Sequence, residues 1–474
     1  MEVSCMYAVV CSQSTHKGWT KALKTLLLKY ELKWPDRVNE VIYVDGDLFS
    51  ALPQLSKLKP TYTCFLAHHS ECNKKFVQDI HKLTRGIDHT TPYTDTIWGV
   101  LTGWEEDDCL CILQQEPLTI NRVTGNCPIP LDKFSSGVSY SEIEQTVAWR
   151  KTANGEVAQE SCPADVTESF ILEIGAAHSE EKGVDMIITS AHATESVLNL
   201  GYCFSSGKLS CIDGHIHGQS LDGRLHKLSH QHNTPKVLSA AGNCLMGYIR
   251  DRDSMALAWM HSAGVSQMVG YVVPTWYGYG GWGVHKYFIN NPGKMTFAEA
   301  YFANQQSLLA KLESLKTPKP VIEKHEDVYK KKFGAENIDD THSHDLSGLS
   351  YDEDTTVFYG DPAWEARLAL KPELWDYSSA VTALKPSEED GWDKSWSYWE
   401  FTVETLRPGR WDCPVADDKT TSPGRPPIYV FPSRASKAKL INGDGIVTCS
   451  FVMMVLQGSF VAGQFHRVQF ATQN

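Results

Sequence analysis

Two short apolar runs, Asp185–Ser190 (Asp-Met-Ile-Ile-Thr-Ser) and Lys236–Ala241, constrain the fold of this chain more than any other feature. A run of this length without polar alternation is expected of a strand buried on both faces, and a parallel sheet covered by helices provides that burial. The surrounding sequence agrees. Tyr7–Cys11, Val41–Val44 and Tyr62–Leu66 predict strands, while Trp19–Tyr30 and Lys74–Leu83 predict helices. Ser254–Ala263 predicts a helix with Asp253 as its N-cap and Gly264 where a glycine commonly ends one. Val265–Val273, stopped by Pro274, predicts the next strand, so a right-handed crossover joins a parallel pair. Cys109–Leu113 is also expected as a strand, with Cys109 and Cys111 as buried thiols on one side.

The 474 residues allow about three domains. The expected division is an N-terminal α/β subdomain at 1–140, a second α/β subdomain at 141–370 and a small β-sandwich at 371–474. A charged, exposed insertion is expected at about 317–354, around Lys330-Lys331-Lys332. The sandwich rests on the strand-like Trp396–Val403, Pro427–Phe431, Gly445–Val455 and Phe465–Phe470, separated by Pro/Gly turns. A net charge of -13 argues against nucleic acid as a partner. No apolar stretch approaches the roughly 20 residues of a membrane helix; the nearest, Val452–Leu456, is far shorter. The 13 cysteines are an odd number without small-scaffold spacing, and no signal peptide is visible at the start. Reduced thiols in a cytoplasm are the expectation.

Parallel sheets bind ligands outside the carboxyl ends of their strands. His192 follows the first of the two runs and Cys244 follows the second. If those strands are neighbours, both side chains open onto one cleft. A thiol beside an imidazole is a nucleophile with its base, and the imidazole can protonate a leaving amine. Taken singly, a loop histidine and a small buried thiol are the plainer readings. A rival lies between the runs. Asp213-Gly-His215-Ile-His217 sets three metal-ligand types at alternating positions, followed by His226, His230 and His232. A His-x-His strand points both rings to one face, which a zinc ion can use, so the alternative is a zinc-dependent hydrolase built on Asp213, His215 and His217; the plain reading is a polar loop in a chain with 18 histidines. Gly278-Tyr-Gly280-Gly281-Trp-Gly283 fits a dinucleotide fingerprint in form but does not follow the first strand. With Trp276, Tyr277, Tyr279 and Trp282 it is expected as a flexible, aromatic-walled substrate loop, or as aromatics packed on a neighbouring domain.

Met186-Ile-Ile-Thr-Ser-Ala-His192-Ala193 resembles the strand ending in His-Gly of caspase-fold cysteine peptidases. Val237-Leu-Ser-Ala-Ala-Gly-Asn-Cys244-Leu-Met-Gly247 resembles the strand that delivers their nucleophile. Three further stretches are similar to the gingipain family: Tyr93–Gly103, Gly264–Gly283 with Thr275-Trp276, and Thr356-Val-Phe-Tyr-Gly-Asp-Pro362. The resemblance covers most of residues 1–370, and the β-rich tail resembles the immunoglobulin-like domain that follows in that family. It implies a caspase-like α/β fold and a peptidase acting on protein or peptide substrates. Cys244 would be the nucleophile and His192 its partner, with the backbone N–H groups of Cys244 and Ala193 as the oxyanion site. Trp276 and Tyr277 would line the substrate pocket, with no cofactor and no metal. Ala193 stands where the family has glycine, and Asn243 where it has alanine or glycine; both changes admit a catalytically silent binder of the same fold. No match to the acid of the family's basic-residue pocket is present.

Overall fold

A computed structural model describes residues 5–176, 183–229, 234–315, 341–385, 392–411 and 425–473. Its centre is a sheet of twelve strands. In spatial order these are Val38–Tyr43, Tyr7–Ser12, Tyr62–Leu66, Ile97–Leu101, Thr356–Tyr359, Val265–Tyr271, Lys236–Ser239, Met186–Ile188, Arg122–Gly125, Ser136–Tyr140, Val147–Lys151 and Ala158–Ser161. Strands up to Thr356–Tyr359 run parallel to one another. Those from Val265–Tyr271 to Ser136–Tyr140 are also mutually parallel but point the opposite way, because Val265–Tyr271 pairs antiparallel with Thr356–Tyr359. Two antiparallel strands finish the edge. The carboxyl ends of the two halves therefore lie at opposite ends of the sheet. The boundary expected at residue 140 falls inside the second half, which takes in Arg122–Gly125 and Ser136–Tyr140.

Local chemistry explains where the elements differ from expectation. Cys109–Leu113 belongs to a helix, Glu106–Leu113, not to a strand. Three acids fill its first turn, and Glu105 with Asp108 forms a capping box. Negative charge at a helix N-terminus is favourable, and that signal outweighs the apolar run. The helix Met255–Ala263 has Ser254, not Asp253, as its N-cap residue, and ends at Gly264 with φ +72°. The Ser254 hydroxyl accepts the N–H groups of Arg250 (3.0 Å) and Asp251 (3.2 Å), so it closes the preceding loop. Of the expected insertion, 317–340 lies outside the described residues. Thr341–Asp352 is a helix carrying buried Leu349, Tyr351 and Asp352, so its later turns are core and not exposed.

The tail is all antiparallel: a four-stranded sheet, a three-stranded sheet and a two-stranded ribbon. Its strand Phe451–Met454 is buried along its whole length. Side chains alternate across a strand, and here Phe451 and Met453 enter the core of the twelve-stranded body while Val452 and Met454 enter the tail's own core. Beside this strand, Arg434 is 3% exposed and reaches Asp88 (2.6 Å) and Asp95 (3.1 Å). It also donates to Ser450 Oγ at 2.8 Å. Burial outweighs the guanidinium and leaves the Asp95 carboxyl above its ordinary range. Such a buried pair contributes little net stability, yet removing one partner strands the others. Arg434→Ala should therefore cost about 3–5 kcal/mol, measured by urea unfolding; a loss below about 1 kcal/mol would mean that water readily replaces the guanidinium.

Candidate functional site

Met186–Ile188 and Lys236–Ser239 are neighbours, in parallel register from Met186↔Val237 to Ile188↔Ser239. Their carboxyl ends, with those of the flanking parallel strands, bring Asn126, Glu142, His192, Cys244 and Thr275 to one end of the sheet. The two loops are tied directly. Asn243 is fully buried; its amide donates to the Ala191 carbonyl (2.6 Å) and its Oδ1 accepts the Thr189 hydroxyl (2.5 Å). The residues just before His192 and Cys244 are thus hydrogen-bonded to each other. On the far side, Thr275 donates its hydroxyl to the Asn243 carbonyl (2.9 Å) and its N–H to Cys244 Sγ (3.2 Å). Leu245, next after the cysteine, has φ +58°, a conformation that strains a branched side chain. Its N–H is pinned to the Val273 carbonyl at 3.1 Å. Ala193 lies outside the left-handed region, so alanine carries no penalty where the resemblance placed a glycine. Among the described residues the N–H groups of Cys244 and Ala193 make no hydrogen bond.

The thiol is half-buried, and burial pushes it up more than its bonds with Thr275 pull it down. His192 is exposed and stacks on Tyr202, ring centres 4.3 Å apart. No hydrogen bond joins His192 to Cys244 among the described residues. A cleft of 660 Å³ opens beside the imidazole, walled by Tyr202, Cys203, Ser205, Lys208 and Gln219 among others; Cys244 is not one of its walls. Glu142, which carried no signal in the sequence, also stands here. The Ser190 hydroxyl approaches its Oε1 at 3.4 Å, and Oε2 is buried with no partner among the described residues. Burial pushes this carboxyl up to about 7. Its backbone carbonyl accepts the N–H of Tyr202 (2.7 Å) and of Cys203 (3.0 Å), which sets the position of the ring under His192.

Trp276 is half-buried and meets Tyr351 edge-on at 5.4 Å. Tyr277 is core: it is 6% exposed and its hydroxyl donates to Asp345 at 2.7 Å. It therefore supports the loop and does not line a pocket. The expected flexible loop is the helix Tyr279–Phe288. Its glycines serve close packing, since a Cβ on Gly281 would come within 2.0 Å of the Ala241 carbonyl oxygen. Asp213-Gly214 forms the two-residue turn joining the paired strands Lys208–Ile212 and His215–Gln219, with φ +49° and +74°. Positive φ at both positions is the hairpin geometry for which Asp-Gly is suited. His215 and His217 share a face of the second strand, as alternation requires, but each Nδ1 is occupied by a backbone carbonyl. His230 and His232 lie outside the described residues. Among the described residues no three His, Cys, Asp or Glu side chains gather as a metal-binding group. Comparison with known proteins gives no match to a family model, a curated protein or a solved structure.

Two outcomes test this frame. Asn243→Ala leaves the Thr189 hydroxyl and Ala191 carbonyl without their buried partner and should cost about 1–3 kcal/mol, read by thermal unfolding. An unchanged melting curve would show that the two loops hold without the amide. The second concerns pH. A free glutamate loses its proton near 4.5, whereas folded Glu142 holds it to about 7. The folded state carries the extra proton between those values, so the stabilisation from it is complete below the lower one and lost as pH rises through the window. Glu142→Gln should match the parent in acid and exceed it by about 1–3 kcal/mol above neutrality. A difference constant across pH would assign it to packing.

Proposed function

We propose that this protein is a cysteine peptidase working through Cys244 and His192, on a caspase-like α/β body with an immunoglobulin-like tail. The supporting observation is the Asn243 clamp, which brings the histidine and cysteine loops together beneath two unclaimed N–H groups. In this reading the His192 imidazole takes the Cys244 thiol proton, and the thiolate attacks the scissile carbonyl carbon. An S–C bond forms, and the oxyanion is held by the N–H groups of Cys244 and Ala193. The oxyanion then collapses, the C–N bond breaks, and the His192 imidazolium gives its proton to the departing amine. Water, deprotonated by the same imidazole, hydrolyses the thioester and restores the thiol. The ring must leave Tyr202 and turn toward the sulfur for the proton to move, so substrate entry has to displace that stack. Trp276 borders the pocket for the residue before the scissile bond. The twelve described cysteines are all unpaired, which supports a reducing, cytoplasmic setting.

A silent binding protein is the second reading, favoured by the raised thiol and by the His192–Tyr202 stack. Inhibition separates the possibilities. Iodoacetamide should abolish peptide hydrolysis in step with labelling of Cys244, mapped by mass spectrometry because Cys203 is the more exposed thiol. A metal chelator should have no effect. Loss of activity with the chelator would point to the histidine strand, and absence of turnover on a broad peptide library would leave the binder.

A further inference from the structure

We infer that the cleft beside His192 binds a carboxylate of the peptide, through Lys208 flanked by Asn199 and Gln219. Strand register puts these three side chains in one row. Lys208 pairs with Asn199 on one neighbour and with Gln219 on the other. Residues directly opposite on adjacent strands point to the same face of a sheet. All three line the 660 Å³ cleft together with His192.

The charge pattern supplies the chemistry. The protein carries a net charge of -13, yet no Asp or Glu lines this cleft. Lys208 forms no ion pair among the described residues and is exposed. Behind the wall, Asp165 is occupied: its Oδ1 accepts the Thr167 hydroxyl and N–H, and its Oδ2 accepts the Leu221 N–H. An ammonium between two amides offers only short, charge-assisted donors toward a carboxylate, with the amide oxygens free to turn away. The same row would repel a lysine or arginine side chain. This carboxylate is either an acidic side chain or the peptide's own terminus; the chemistry is shared, and the two are separable by experiment.

The inference rests on the peptidase reading only for calling the peptide a substrate, so the test measures binding and cleavage apart. A randomised decapeptide library, half with free and half with amidated C-termini, is incubated with Cys244→Ala protein. The bound fraction is then sequenced by mass spectrometry. Asp and Glu at one position should be enriched roughly tenfold over Asn and Gln, or the free terminus over the amide by a similar factor. Lys208→Gln should abolish the enrichment and Lys208→Arg should keep it; Lys208 is exposed, so both variants are expected to fold. Equal recovery of acids and amides, no binding at all, or a preference that survives Lys208→Gln would overturn the inference. Enriched peptides that the parent protein fails to cleave would sink the peptidase reading and leave the carboxylate site standing.

Discussion

The parallel pairing of two very short strands governs the arrangement of the loops that carry His192 and Cys244. Met186–Ile188 and Lys236–Ser239 are buried throughout, so neither can slip by a residue without turning its side chains against a different neighbour. Once the register is set, the loops that follow leave the sheet side by side. Their meeting is then a matter of short-range chemistry: one buried amide, two hydroxyls and two backbone carbonyls. The glycines at 242 and 281 keep the space open, because a Cβ on Gly242 would press on Ser190 at 2.7 Å and one on Gly281 would strike Ala241.

The site at rest is held, not poised. Thr275 occupies the sulfur, Tyr202 occupies the imidazole, and Glu142 sits behind Ser190 with a proton it gives up only near 7. Each of these contacts is local, and in the proposed reading a bound peptide replaces them. The protein frame around them is not: Asn243 is inaccessible to solvent, and Leu245 is held in a strained conformation by its bond to Val273. Rigid support beneath exchangeable contacts suits a site whose geometry completes itself around its ligand.

The strands that position the site were legible in the sequence because their apolar runs are short and are followed by glycine, proline or polar loop residues. Tyr62–Leu66 appears where expected, and the neighbourhood of His192 and Cys244 follows from strand order. What escaped was decided by tertiary contact. The helix at Tyr279–Phe288 contains three glycines within its first five residues, poor helix formers that only a tight fit against Ala241 and Asn304 explains. Tyr277 looks like a surface aromatic until the helix at 341–352 covers it. Glu142 is one acid among 57 Asp and Glu, distinguished only by where its strand ends. The row of Asn199, Lys208 and Gln219 spans three strands, so no linear pattern contains it. By contrast, the acids at Glu106–Asp108 were a readable helix start, overlooked beside the apolar residues that follow.

The strand Phe451–Met454 feeds two cores with alternate side chains, and this has a consequence for how the chain could have been assembled. A tail joined only by a linker can be moved between proteins as a cassette. Here half of the strand's side chains complete a neighbour's interior, so moving the tail would leave a hole behind and carry an oily face away. Body and tail are bound to change together, because substitutions at Phe451 and Met453 are judged by the body and those at Val452 and Met454 by the tail, along one strand.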